Sequence, residues 1–159
     1  HKLDMKNFKY FLLFLFLFSC GYSPIYQADQ KSNFKLDVIK FSGEKEISRL
    51  IIRSLEKLRN NKSSNVYNVN LISTEENIDA TKDKKGNASS YKIIITVDFY
   101  LNNVTNNKNF NKKFIKETIY NSMDNKFELN QYKKNIKKNM ISQILQDIEA
   151  FLNIIENDL

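Results

Sequence analysis

Apolar residues recur along this chain with two periods, two and three-to-four, and the order in which the periods alternate predicts its elements. Phe34, Leu36, Val38 and then Phe41 begin with period two, the spacing of a strand with one buried face. Ser42 and Gly43 break that run, and Ser42 with Glu44 and Glu46 offers a capped, acid-rich helix start suited to the positive end of a helix dipole. Ile47, Leu50, Ile51, Leu55 and Leu58 then repeat every three or four residues, with Lys45, Arg49, Arg53 and Lys57 largely elsewhere on the wheel, which predicts an amphipathic helix. After a turn over Asn60 to Asn65, Tyr67, Val69 and Leu71 alternate with Asn68 and Asn70, the pattern of a strand with one wet face.

Ser73 to Ser90 is a long polar stretch holding Lys82, Asp83, Lys84, Lys85 and Gly86, expected to be a mobile loop of the kind that often carries function in a small domain. The strongest strand follows: Tyr91, Ile93, Ile95, Val97, Phe99 and Leu101 share one face, and Lys92, Thr96 and Asp98 lie on the other. Asn102 to Asn109 closes a hairpin onto a returning strand, about Phe110 to Tyr120. There Ile115 and Ile119 form one face and Lys112, Phe114, Lys116 and Tyr120 a mixed one. The chain ends in a long helix, about Phe127 to Asn157. Its apolar stripe runs through Leu129, Tyr132, Ile136, Met140, Ile144, Ile148, Leu152 and Ile155, with Lys133, Lys134, Lys137 and Lys138 turned away. The order β-α-β-β-β-α predicts one α+β domain over residues 34–159. Its simplest form is a four-stranded, mainly antiparallel sheet with two helices packed on one face and the opposite face polar.

The start of the chain follows neither period. Met5, Lys6, Asn7, Phe8, Lys9 and Tyr10 lead into Phe11 to Phe18, a run made only of Phe and Leu. This is shorter than the roughly 20 apolar residues that span a bilayer, and it has the basic-then-apolar order of a secretory signal. Residues 1–19 are therefore expected to be a signal peptide, with residues 1–4, ahead of Met5, outside the native start. The single cysteine, Cys20, stands directly after Leu17, Phe18 and Ser19. Alone, it cannot form an internal disulfide in the oxidising compartment that export implies. Aliphatic Leu17 and small Ser19 ahead of it resemble a bacterial lipobox, whose cysteine sulfur takes a diacylglyceryl group. The bulkier Phe18 departs from that pattern. Lipidation at Cys20 would tether the protein to a membrane, because two or more acyl chains anchor stably where one does not. Residues 20–33, with the only proline at Pro24, read as the lipidated tether.

Charge and candidate chemistry narrow the function classes. The chain has 25 basic and 18 acidic side chains, net +7. Residues 1–19 hold Lys2, Lys6, Lys9 and Asp4, so their removal leaves 22 basic and 17 acidic side chains, net +5. A basic exported protein attracts anionic phospholipid, anionic glycolipid or an acidic partner; nucleic acid is not expected outside the cytoplasm. The only histidine is His1, and Cys20 is reserved for lipid, so the usual nucleophiles, general bases and metal ligands are missing and no cofactor is expected. Gly21, Gly43 and Gly86 stand alone and form no phosphate cradle. Carboxylates such as Glu75 and Glu76 fall in the polar stretch, where solvated charge explains them without catalysis. Lys82, Lys84 and Lys85 in that stretch, with Lys112, Lys113 and Lys116 on the returning strand, are candidate contacts for anionic lipid or phosphorylated sugar, or else ordinary solvated surface.

Cys20-Gly21-Tyr22-Ser23-Pro24-Ile25-Tyr26 resembles the start of the LptE family, the outer-membrane lipoproteins of lipopolysaccharide assembly, which commonly begin Cys-Gly-aromatic-x-Pro-aliphatic-Tyr. The early strand, the helix bearing Arg49 and Arg53, the strand from Tyr67, the hairpin from Tyr91 to Tyr120 and the C-terminal helix also match that family's layout. The resemblance implies a non-catalytic lipoprotein on the periplasmic side of the outer membrane. Its implied partner is a large LptD-like β-barrel, which it helps to assemble, and its implied ligand is lipopolysaccharide. Two other classes remain open: an auxiliary lipoprotein of a lipid-transport ABC system, recognisable by association with an inner-membrane ATPase, and a lipid-anchored enzyme, recognisable by a hydrolytic activity that one carboxylate controls.

Overall fold

A computed structural model describes residues 34–58 and 62–157; the expected signal peptide, Cys20 and the tether lie outside them. The elements are β1 (Phe34–Gly43), α1 (Lys45–Leu58), β2 (Asn65–Lys82), β3 (Ala88–Asn103), β4 (Asn109–Asn121) and α2 (Lys126–Asn157). The strands lie in the order β1-β2-β3-β4, with β1 parallel to β2 and the other two pairs antiparallel. The parallel pair follows from the connection. A helix carries the chain from β1 to β2, and a crossover of that length returns the second strand in the same direction. The expected α+β class, with a mainly antiparallel four-stranded sheet and two helices on one face, is the observed one.

One core lies between the sheet and the two helices. From the sheet come Leu36, Val69, Leu71, Ile93, Ile95, Val97 and Leu101; Ile47, Ile51 and Leu55 come from α1, and Met140, Ile144, Ile148 and Leu152 from α2. Phe99, Phe114 and Phe151 meet edge to face, with ring centroids 6.5, 6.5 and 6.2 Å apart. Burying each such side chain contributes about 1.5–3 kcal/mol, enough in sum for a domain of this size to fold round a single core. Asn125 caps α2, its Oδ1 accepting from the Phe127 and Glu128 N–H groups at 3.0 and 3.3 Å.

The β1–α1 turn is bound to the middle of β2. Gly43 takes φ 84°, the Glu44 N–H donates to the Ser73 carbonyl at 2.9 Å, and the Ser73 hydroxyl donates to the Glu44 carbonyl at 3.0 Å. Ser48 and Ser73, both buried, join their hydroxyls at 2.8 Å. Ser42 lies within β1, so it does not cap the helix; Glu44 stands at that boundary, its carbonyl accepting the Ser48 N–H at 3.0 Å.

Four further expectations are corrected. The polar stretch from Ser73 to Ser90 is not a loop but the outer half of a long β2–β3 hairpin, paired from Ser73 with Val97 out to Lys82 with Ala88. It reads as a loop because its inward positions nearest the core, Ser73 and Glu75, are polar and Glu76 to Asp79 are exposed on both faces, so no apolar alternation marks it. On β4 the inward face is the mixed one: Phe114 and Tyr120 are buried, while Ile115 and Ile119 are 54% and 60% exposed. The outer sheet face is accordingly not wholly polar. On α2, Lys137 is not turned away but lies 17% exposed between β2 and α1. On β1 the register slips between Leu36 and Ile39, an extra residue that puts Ile39 rather than its predecessor opposite Val69.

Candidate functional site

The structure disperses the six candidate lysines. Lys82, Lys84 and Lys85 sit at the tip of the β2–β3 hairpin. Lys112, Lys113 and Lys116 lie on β4, where Lys112 pairs across from Phe99, ten positions along β3 from Ser89 and so roughly 30 Å away at about 3.3 Å per residue. Lys82 approaches Asp79 at 3.7 Å, Lys113 approaches Asp98 at 3.4 Å, and Lys116 bonds Asp147 of α2 at 2.7 Å. The Lys112 Nζ stands 5.5 and 5.1 Å from the ring centroids of Phe114 and Phe151, a cation–π placement on the helix side of the sheet.

Of the six, Lys84 and Lys85 at the tip are exposed and bear no ion pair among the described residues, and Lys112 faces rings instead of a carboxylate. The tip is held by Asp83. Its Oδ1 accepts the Lys85 and Asn87 N–H groups at 2.8 and 2.9 Å, the Gly86 N–H closes onto the Asp83 carbonyl at 3.0 Å, and Gly86 takes φ 86°. Hydrogen bonds from Asn87, then those from Lys85 and Gly86, hold the Asp83 carboxyl below the usual aspartate range.

A second cationic centre is enclosed. Lys137 of α2 bonds Glu75 of β2 at 2.6 Å and Glu46 of α1 at 3.2 Å, and Glu75 is only 11% exposed. Burial alone would raise the Glu75 pKa. The hydrogen bonds from Lys137 and Asn77 and the nearby charges of Lys137 and Lys133 outweigh it, and the carboxyl lies below its ordinary value. Burial disfavours the charged Lys137, yet its bonds to Glu75 and Glu46 carry its pKa upward. The triad locks both helices to the sheet.

The outer sheet face carries a groove of about 600 Å³. Lys40, Asn70, Tyr100 and Asn111 are direct partners in one row crossing all four strands. Asn68, Asn102 and Asn109 form the adjoining row over β2, β3 and β4. Tyr100 is 41% exposed at the centre, and the Asn102 amide donates to the Asn109 carbonyl oxygen at 2.6 Å. Strand alternation shows Asn68 and Asn70 as wet positions, but nothing in the linear sequence brings the seven side chains together; three strand registers do. Among the described residues, no group of three or more His, Cys, Asp or Glu side chains is placed to hold a metal ion, and no helix is long and apolar enough to cross a membrane.

No family model matches the sequence, and no curated protein matches it. The fold recurs in solved structures. The rare lipoprotein B of Shewanella oneidensis aligns with TM-score 0.60 at 18% identity, over 77% of this chain and 98% of that one. A minor lipoprotein from Acinetobacter baumannii aligns with TM-score 0.51 at 12% identity, over 78% and 94%. The uncharacterized lipoprotein B of Nitrosomonas europaea aligns with TM-score 0.50 at 14% identity, over 76% and 88%. At these identities the likeness establishes the shared fold.

Proposed function

We propose that this chain is a non-catalytic, lipid-anchored lipoprotein of the outer membrane, facing the periplasm, which partners a large LptD-like β-barrel and assists the assembly of lipopolysaccharide at the cell surface. The observation that carries the reading is the segment Cys20 to Tyr26, set directly ahead of a domain whose fold recurs in bacterial lipoproteins. A lipobox cysteine gives the anchor, and the Gly-aromatic-x-Pro-aliphatic-Tyr continuation is the resemblance that singles out the assembly lipoproteins. The physics of the domain supports it: the long polar arm formed by the outer half of β2 suits the polar lumen of a large barrel. Of the six lysines, Lys84 and Lys85 stand at an exposed tip without an ion pair among the described residues, and the anionic part of a glycolipid is assigned to them.

The test is extraction of the tagged full chain from outer membranes. Co-purification of a large β-barrel is expected; a protein extracted as a monomer with no barrel would sink the reading, and association with an inner-membrane ATPase complex would replace it by the transport-system alternative. Mass spectrometry should find the mature chain beginning at an acylated Cys20, and Cys20→Ala should leave it uncleaved or untethered.

A further inference from the structure

The two edges of the open sheet are not alike. β1 carries the register slip between Leu36 and Ile39, a bulge of the kind that twists an edge away from further pairing. β4 pairs with β3 without a shift from Asn109 to Ser90's partner Asn121, and among the described residues no strand lies on its other side. Its outward backbone N–H and C=O groups therefore form a straight template 13 residues long. Lysines commonly guard such an edge by projecting past it. Here they are held within the domain: Lys113 approaches Asp98 at 3.4 Å, Lys116 bonds Asp147 at 2.7 Å, and Lys112 lies over the Phe114 and Phe151 rings. Ile115 and Ile119 stand exposed beside the edge on the outer face.

The side chains of β4 select the strand that fits it. Directly opposed residues of an antiparallel pair share a face, so a two-fold self-pairing of β4 has to centre on a residue. Centred on Ile115, the midpoint of the strand, all 13 residues overlap. In that register Lys113 opposes Glu117 of the second copy, twice by symmetry, Ile115 opposes its own counterpart, and no like charges are opposed. Neighbouring registers lose this. Centring on Phe114 sets Lys112 against Lys116, and centring on Lys113, Lys116 or Glu117 sets a charge against itself. Glu117 bonds Lys92 of its own copy at 2.7 Å, so charge alternates in sign from Asp98 and Lys113 of one copy to Glu117 and Lys92 of the other. A contact of this isologous kind closes as a dimer instead of running on into a fibre.

We propose that the free edge of β4 is a self-association surface: two copies of this chain pair antiparallel through β4 about a two-fold axis at Ile115, joining their sheets edge to edge. The pairing stands on β4 alone and goes beyond the barrel reading, because it is a property of the purified chain with no barrel present. One strand pair and its flanking isoleucines make a small interface, so micromolar rather than nanomolar association is expected.

The full chain, purified in detergent free of any barrel, is oxidised with copper phenanthroline and resolved on a non-reducing gel. The parent, whose single cysteine is Cys20, sets the background. In the proposed register the two Ile115 Cα atoms stand about 4.5–5.5 Å apart, within reach of a disulfide, while the two Ile119 Cα atoms are roughly 27 Å apart. Ile115→Cys should therefore trap a dimer, and Ile119→Cys, although more exposed, should not. In the Ile115→Cys background, Glu117→Lys alone and Lys113→Glu alone each oppose like charges and should weaken association about tenfold. Mixing those two chains restores both opposite-charge pairs and should recover the yield of Ile115→Cys. Both charged side chains are more than half exposed, so melting temperatures should change little. The proposal is overturned if Ile115→Cys stays monomeric, if Ile119→Cys cross-links as well as Ile115→Cys does, or if the mixture yields no more dimer than either chain alone.

Discussion

Single residues fix the places where this fold has no freedom. Gly43 and Gly86 share a left-handed backbone, but their surroundings differ: a Cβ at Gly43 would run into the Ser73 carbonyl oxygen, while a Cβ at Gly86 meets nothing within 4 Å. Gly86→Ala should cost only the conformational strain, about 1 kcal/mol. Gly43→Ala should cost at least about 3 kcal/mol and shift the thermal midpoint well below that of the first variant, as calorimetry would read. Lys137 gives a prediction with a pH dependence. Glu75 titrates below its usual value in the folded chain, so its contribution is present above the unfolded carboxylate pKa of about 4.3 and is lost as pH falls through the lower folded value. Lys137 titrates above its usual value, so its contribution is present below about pH 10 and is lost as pH rises through the higher folded value. Lys137→Met leaves a carboxylate that is 11% exposed with only Asn77 and the more distant Lys133 as partners, and should cost about 2 kcal/mol at neutral pH. Denaturant titration at falling pH should show that gap begin to close below about pH 4.3 and shrink further as pH falls through the lower value that Lys137 imposes on Glu75. A gap that stayed constant from pH 7 to pH 3 would mean the triad adds no charge-dependent stability.

Among the elements, β3 was legible and its two neighbours only partly so. The alternation from Ile93 to Leu101 named the core face because every inward position is apolar and the outward ones are mostly not. On β4 both faces carry large apolar residues, and period two alone cannot say which pair turns inward; packing against Phe99 and Phe151 draws Phe114 in and leaves Ile115 and Ile119 outside. Phe114→Ala should therefore cost about 3 kcal/mol through the cavity it leaves, whereas Ile119→Thr should fall within about 0.5 kcal/mol of the parent. Equal losses from the two changes in a urea titration would mean that β4 does not turn Phe114 inward and Ile119 outward. The outer half of β2 was hidden for a different reason. Glu76, Asn77 and Asp79 are strand residues held by backbone pairing to β3, so they carry no inward apolar signal and read as loop. The asparagine and tyrosine array was unreadable for the same cause at longer range, since its rows exist only once β1, β2, β3 and β4 are in register.

At the scale of the domain, strand direction separates the start of β1 from the β2–β3 hairpin tip. β1 begins at the sheet end it shares with Asn65 of β2 and, through the pairing of Tyr67 with Asn103, with the β3–β4 turn. The β2–β3 tip lies at the opposite end, 18 residues of β2 away, or roughly 55 Å at about 3.3 Å per residue. The chain enters the domain at the first end, where an upstream anchor would attach. The exposed charges of Lys84 and Lys85 lie at the other. Charge reversal tests the assignment of anionic contact to the tip. Lys84→Glu with Lys85→Glu should abolish salt-sensitive binding of the full chain to vesicles containing anionic glycolipid, and leave its melting temperature unchanged, because neither side chain carries a folded-state ion pair among the described residues. Lys116→Ala should show the reverse balance, with vesicle binding kept and stability slightly lowered, since that lysine is already bound to Asp147 at 2.7 Å. If instead Lys113→Ala and Lys116→Ala remove vesicle binding while the tip variant keeps it, the anionic surface lies on β4 and its ion pairs open on contact.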